Sequence, residues 1–130
     1  MIQQTSFTLP RSGNSPLKFE GRLLTEMDSD HEALRWYTVA IYQTRGGKYV
    51  VHVRFHTSWR GESDHDWVHV ADSASDVATA LRSYDVLPPG RGFPPGYEER
   101  QNKLRAACQR DYDDLVTEVL EEDIFVEAIE

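Results

Sequence analysis

The stretch "KYVVHVRFHTSWRGESDHDWVHV", Lys48 to Val70, holds four of the five histidines of the chain. His52 and His56 precede a polar loop, and His65 and His69 follow it. Imidazoles at such spacing could ligate a metal, transfer protons, or stack on a ligand. Metal binding needs side chains converging at about 2.0–2.1 Å from one ion, which cross-strand pairs on a flat sheet can reach. No HExxH string or Cys/His cluster supplies a third and fourth ligand, and Glu62 and Asp64 are loop residues only. "GESDHDW" offers Glu62, Asp64, His65 and Asp66 as an acid–base set, but no nucleophile accompanies it.

The elements around these residues follow from periodicity. In an extended strand the side chains alternate, so His52, Arg54 and His56 share one face and Val51, Val53 and Phe55 the other. His65, Trp67 and His69 likewise oppose Val68 and Val70. Pairing valine with valine would set Val51 against Val70 and Val53 against Val68. That register gathers His52, Arg54, His56, His65, Trp67 and His69 on one surface, with Arg60 in the loop and Trp67 covering Arg54 by a cation–π contact. Gly46 and Gly47 suit a two-residue hairpin turn, which pairs residue 45 with 48. Tyr37, Val39 and Ile41 would then join the histidine face, and Trp36, Ala40 and Tyr42 the valine face. A half-wet sheet face is the preferred reading of the histidine surface. A base-stacking or protein-gripping surface and a metal site are its alternatives.

Strands are expected at 17–27, 35–44, 48–57 and 66–71, and helices at 73–84 and 97–122. The fold class is therefore α+β, an antiparallel meander of about four strands packed on one face by two C-terminal helices. The whole chain, 1–130, reads as a single domain. Residues 1–16 form a loose arm with a possible edge strand at "SFTL", 17–71 the sheet, and 72–130 the helical part. A Pro/Gly-rich connector spans 88–96, and "DIFVEAIE" fits either a helical continuation or a last strand. Asp72 or Ser73 is placed to cap the first helix, whose face is Val77, Ala80, Leu81 and Tyr84. The second helix carries Leu104, Cys108, Tyr112, Leu115 and Val119 at steps of four and three, widened by Val116 and Leu120.

The chain has 130 residues, 39% apolar and 28% charged, with a net charge of −8. No run approaches the roughly 20 apolar residues of a membrane helix, and the N-terminus lacks the basic start and apolar run of a signal peptide. A lone cysteine, Cys108, forms no internal disulfide, which points to a cytoplasmic setting and, in a helical pattern without a nearby histidine, to core filler. No Walker A, GxGxxG or GxSxG string occurs, and "RGGK" lacks the spacing of a phosphate loop. No cofactor is implied.

The charge is unevenly placed. Residues 111–130 contain nine carboxylates and no lysine or arginine; the other 110 residues hold 14 basic and 13 acidic side chains. Asp111, Asp114, Glu118 and Glu122 fall at helical spacing beside the apolar seam, with Glu121 adjacent. Like charges at these spacings cost a few tenths of a kcal/mol per pair. Such a stripe suits docking on a basic surface and argues against direct contact with nucleic acid. The hairpin "YQTRGGKYVVH", after "FEGRLL", resembles small uncharacterised bacterial and phage-borne proteins over less than a third of the chain, and implies no functional residues.

The leading expectation is a small, non-enzymatic protein-binding module. Its acidic helix (Asp111, Asp114, Glu118, Glu121, Glu122) would engage, and could inhibit, a basic nucleic-acid-processing protein. Phage and mobile-element inhibitors such as anti-CRISPR proteins offer an analogy of size and charge. The alternatives are an accessory protein touching nucleic acid through the His52/Arg54/Trp67 face, and a small metal-dependent enzyme on the histidine hairpin.

Overall fold

A computed structural model describes residues 5–30, 32–87 and 96–122 and Phe125. The Pro/Gly connector at 88–95 and most of "DIFVEAIE" lie outside them. Five antiparallel strands run in sequence order: β1 (Thr5–Arg11), β2 (Asn14–Asp28), β3 (Arg35–Thr44), β4 (Tyr49–Thr57) and β5 (His65–Ala71). Two helices follow, α1 (Ala74–Ser83) and α2 (Glu98–Leu120). The α+β meander with C-terminal helices is therefore what the periodicity predicts, with one strand more than expected.

That extra strand corrects the loose arm. Residues 5–11 pair with the first half of β2, Phe7 opposite Phe19 and Leu9 opposite Leu17. The register slips between Leu9 and Arg11, around Pro10, which has no N–H for the ladder. β2 then turns a corner. At Gly21 the chain lies so close to β3 that a Cβ would sit 2.2 Å from the Gln43 carbonyl oxygen. An irregularity between Leu23 and Thr25 re-aims the second half of β2 along β3. The sheet consequently curls until the tip of the β1–β2 hairpin meets β5. Ser12 N–H donates to the Asp66 carbonyl at 2.9 Å, and Asp66 N–H to Ser12 Oγ at 2.9 Å.

Both faces of the sheet are thus covered in part. On the convex face α1 and α2 pack over Tyr37, Val39, Ile41, Val51, Val53 and Phe55. Tyr37 and Tyr112 each bury a hydroxyl that donates at 2.6 Å, to the Val86 and Leu81 carbonyls. Inside the curl, Leu9, Ala40, Tyr42 and Val50 form a second cluster with Phe7, Leu17, Phe19 and Val68 around them.

The helices form for local reasons. Ser73 Oγ accepts the Asp76 N–H at 3.1 Å and caps α1, as one of the two expected caps. Val77, Ala80 and Leu81 make the buried stripe of α1; Cys108, Tyr112, Leu115, Val116 and Val119 make that of α2. Among the described residues no helix is long and apolar enough to cross a membrane.

Candidate functional site

The strand registers decide which side chains meet, and both differ by one from the expected pairing. Thr44 N–H donates to the Lys48 carbonyl at 2.7 Å, so the β3–β4 loop is Arg45-Gly46-Gly47, with Gly47 at φ +91°. A three-residue loop with a left-handed last residue replaces the two-residue turn, and one extra residue exchanges the faces. Tyr37, Val39 and Ile41 therefore stand with Val51, Val53 and Phe55, while Trp36, Thr38, Ala40 and Tyr42 stand with the His52 face.

β5 is also shifted, with Val53 opposite Trp67 and His52 opposite Val68. His65, Trp67 and His69 leave the His52/Arg54/His56 face. Trp67 stacks on His69 at 5.6 Å and packs against Tyr84 at 5.3 Å, rather than covering Arg54. Val68 goes instead to the cluster under the N-terminal hairpin. The six-residue histidine surface does not exist as one surface. Arg60 is exposed in the β4–β5 loop.

The histidines that remain on the concave face are tied into the sheet. His52, only 5% exposed, sits 2.8 Å from Asp66 Oδ1, and Arg54 Nε approaches the same oxygen at 3.1 Å. Burial lowers the His52 pKa and the bond to Asp66 opposes that shift, which favours a neutral ring donating Nε2–H to the carboxylate. One row further, the Thr38 hydroxyl donates to Asp28 at 2.5 Å and lies 2.8 Å from His56 Nε2. Its proton being committed to Asp28, Thr38 accepts the His56 N–H. Nδ1 of His56 then faces Asp64 at 4.0 Å, and Trp36 stacks on the ring at 4.9 Å. Burial, then Arg54, lowers the His56 pKa.

This network can hold strands in register. The one hydroxyl in it, on Thr38, is engaged by both a carboxylate and an imidazole. Among the described residues no three His, Cys, Asp or Glu side chains are grouped to hold a metal. The strip carries Glu26, Asp28, Asp64 and Asp66 against Arg54, a balance that repels phosphate. Sequence reasoning overlooked Thr38, Asp28 and the hub role of Asp66, because all three depend on the registers.

The acidic helix divides as well. Asp111, Asp114 and Glu118 are exposed and look towards the end of β2, where Asp30 joins them around an open groove of about 310 Å³ floored by Leu115; Asp28 lines it too, but its carboxylate is bonded to Thr38. Glu121 lies on the other flank, beside Arg82 and Asp113 in the groove between the helices. Glu122 follows the last turn and accepts the Thr25 hydroxyl at 3.2 Å. Among the described residues no lysine or arginine pairs with Asp111, Asp114, Glu118 or Glu121. The sequence offered "DSD" at 28–30 but no sign that α2 passes over it. Compared with known protein families, with curated proteins and with solved structures, the chain matches none.

Proposed function

We propose that the protein is a non-enzymatic protein-binding module that docks on a basic partner through the groove between α2 and the end of β2. The observation that carries this reading is the gathering of Asp30, Asp111, Asp114 and Glu118 around one open groove where α2 passes the end of β2. Like charges so placed repel in the free protein, and a basic partner would relieve them. A partner whose basic surface normally holds nucleic acid fits the chemistry, and occupying that surface would inhibit it. The net acidity of the concave strip, together with the separation of the histidines, favours this reading over nucleic-acid contact or metal chemistry on the sheet.

The test is affinity purification from the native host with the wild type and an Asp111→Lys/Asp114→Lys/Glu118→Lys variant, each at low and high salt. The changed side chains are exposed and leave Leu115 and Val119 intact, so circular dichroism should show a folded variant. A docked basic protein should be lost from the variant, because like-charge contacts across an interface cost several kcal/mol. It should also elute from the wild type as salt screens exposed charges over about 8–10 Å. A partner retained equally by both proteins at both salt concentrations would refute the docking role.

A further inference from the structure

We infer that Trp59 is the apolar anchor of this docking surface, and that its occupant is a Lys/Arg-rich protein segment whose apolar or arginine side chain packs on the indole while its basic side chains enter the acidic groove. The inference rests on the docking reading and adds to it the centre that a stable interface requires, since rims of charge alone give steering more than affinity.

Trp59 is 47% exposed, and its backbone and one side of its ring have partners. Its backbone N–H donates to Thr57 Oγ1 at 3.1 Å, and the Arg35 guanidinium lies over the ring, 5.1 Å from its centroid. Arg35 is fixed in turn by a two-pronged pair with Glu62, at 3.0 and 2.5 Å. The Thr57 hydroxyl donates to Glu62 at 2.6 Å, and Glu62 N–H reaches the Trp59 carbonyl at 3.2 Å. A half-buried ion pair thus orients a large aromatic ring without covering it. An exposed indole oriented by a cation–π contact has large apolar area to offer, which is the property of a hot-spot residue.

The position matches the charge. Trp59 follows the end of β4, where Ser58 N–H bonds the Leu34 carbonyl at 2.8 Å, and Leu34 is itself 54% exposed. At the same end of the sheet β2 finishes at Asp28, and Ser29 N–H bonds the Tyr37 carbonyl at 2.8 Å. α2 crosses there as well, with Asp111, Asp114, Leu115 and Glu118 beside Asp28, Ser29 and Asp30. Glu62 neutralises Arg35, and Asp30, Asp111, Asp114 and Glu118 line the groove at this end of the sheet, with Arg60 the other basic residue of the 58–64 loop. Charge complementarity therefore selects a basic segment, and the groove of about 310 Å³ has room for a long basic side chain.

The probe is a phage-displayed random peptide library selected on the immobilised wild type, followed by affinity measurements with the synthesised peptides. The selected peptides should be rich in Lys and Arg. Their binding should weaken about tenfold or more in Trp59→Ala, recover in Trp59→Phe, and fall in the Asp111→Lys/Asp114→Lys/Glu118→Lys variant. Basic peptides that lose affinity only for the triple variant would leave the docking reading intact and overturn the anchor. Selection without basic peptides, or binding indifferent to every variant, would overturn the docking reading and the anchor with it. A wild type that elutes as a dimer while Trp59→Ala elutes as a monomer would assign the surface to a second copy and overturn the inferred occupant.

Discussion

Replacing Gly21 by alanine puts the curled sheet itself to the test. The added Cβ would lie 2.2 Å from the Gln43 carbonyl oxygen and 3.0 Å from its carbon, both backbone atoms. Ordinary C···O contacts start near about 3.3 Å, so β2 and β3 must separate by roughly 1 Å at the corner. The adjacent Arg45 N–H to Glu20 carbonyl bond, now 2.8 Å, would be stretched beyond use. Overpacking costs about 1–3 kcal/mol and a lost bond about 1 kcal/mol more. The stiffer unfolded chain returns about 0.4–1 kcal/mol. The net loss is about 2–3 kcal/mol, a drop in Tm on the order of 10 °C for a chain of this size. Gly46→Ala is the control: its nearest neighbour is a side-chain atom at 3.9 Å, so the same methyl should be neutral or slightly stabilising. Thermal and urea melts of the three proteins make the measurement. A Gly21→Ala protein that melts with the wild type would refute the close approach, and with it the folding of the N-terminal hairpin onto β5.

Two further outcomes follow from the core and the concave strip. Val53 is fully buried beneath the helices, so Val53→Asp should lose about 3–5 kcal/mol or fail to fold, read by urea denaturation; near-wild-type stability would mean the helices cover the other face. His52 and His56 are held neutral by burial, with pKa values below the ordinary 6.5. The unfolded chain then binds more protons, so stability is full above about pH 6.5 and declines as pH falls from there through the folded values. His52→Gln, whose amide can still donate to Asp66, should show a shallower decline between about pH 7 and 5.5 in urea midpoints; an unchanged slope would remove His52 from the account.

The sequence by itself determined the elements. The stripe Cys108, Tyr112, Leu115 and Val119 is helical whatever it packs against, and Arg35–Thr44 and Tyr49–Thr57 are strands because β-branched and aromatic side chains fit a pleated surface. Ser73 caps because its oxygen reaches a free N–H three residues on. The charge asymmetry of 111–130 was likewise legible, being a count. Only the tertiary structure decided the faces. Alternation has period two, so a slip of one residue preserves every strand and exchanges what each side buries. It is detectable from sequence when one face is wet, but here the β1–β2 hairpin supplies a second apolar cluster, and Val68 is as well placed there as valine beneath a helix. An arm read as loose thus concealed the partner that set the register. The registers in turn dispersed the histidines and gathered Asp28, Thr38 and His56, and the packing of α2 brought its carboxylates to Asp30, because contacts between residues distant in the chain are set by packing and not by local pattern.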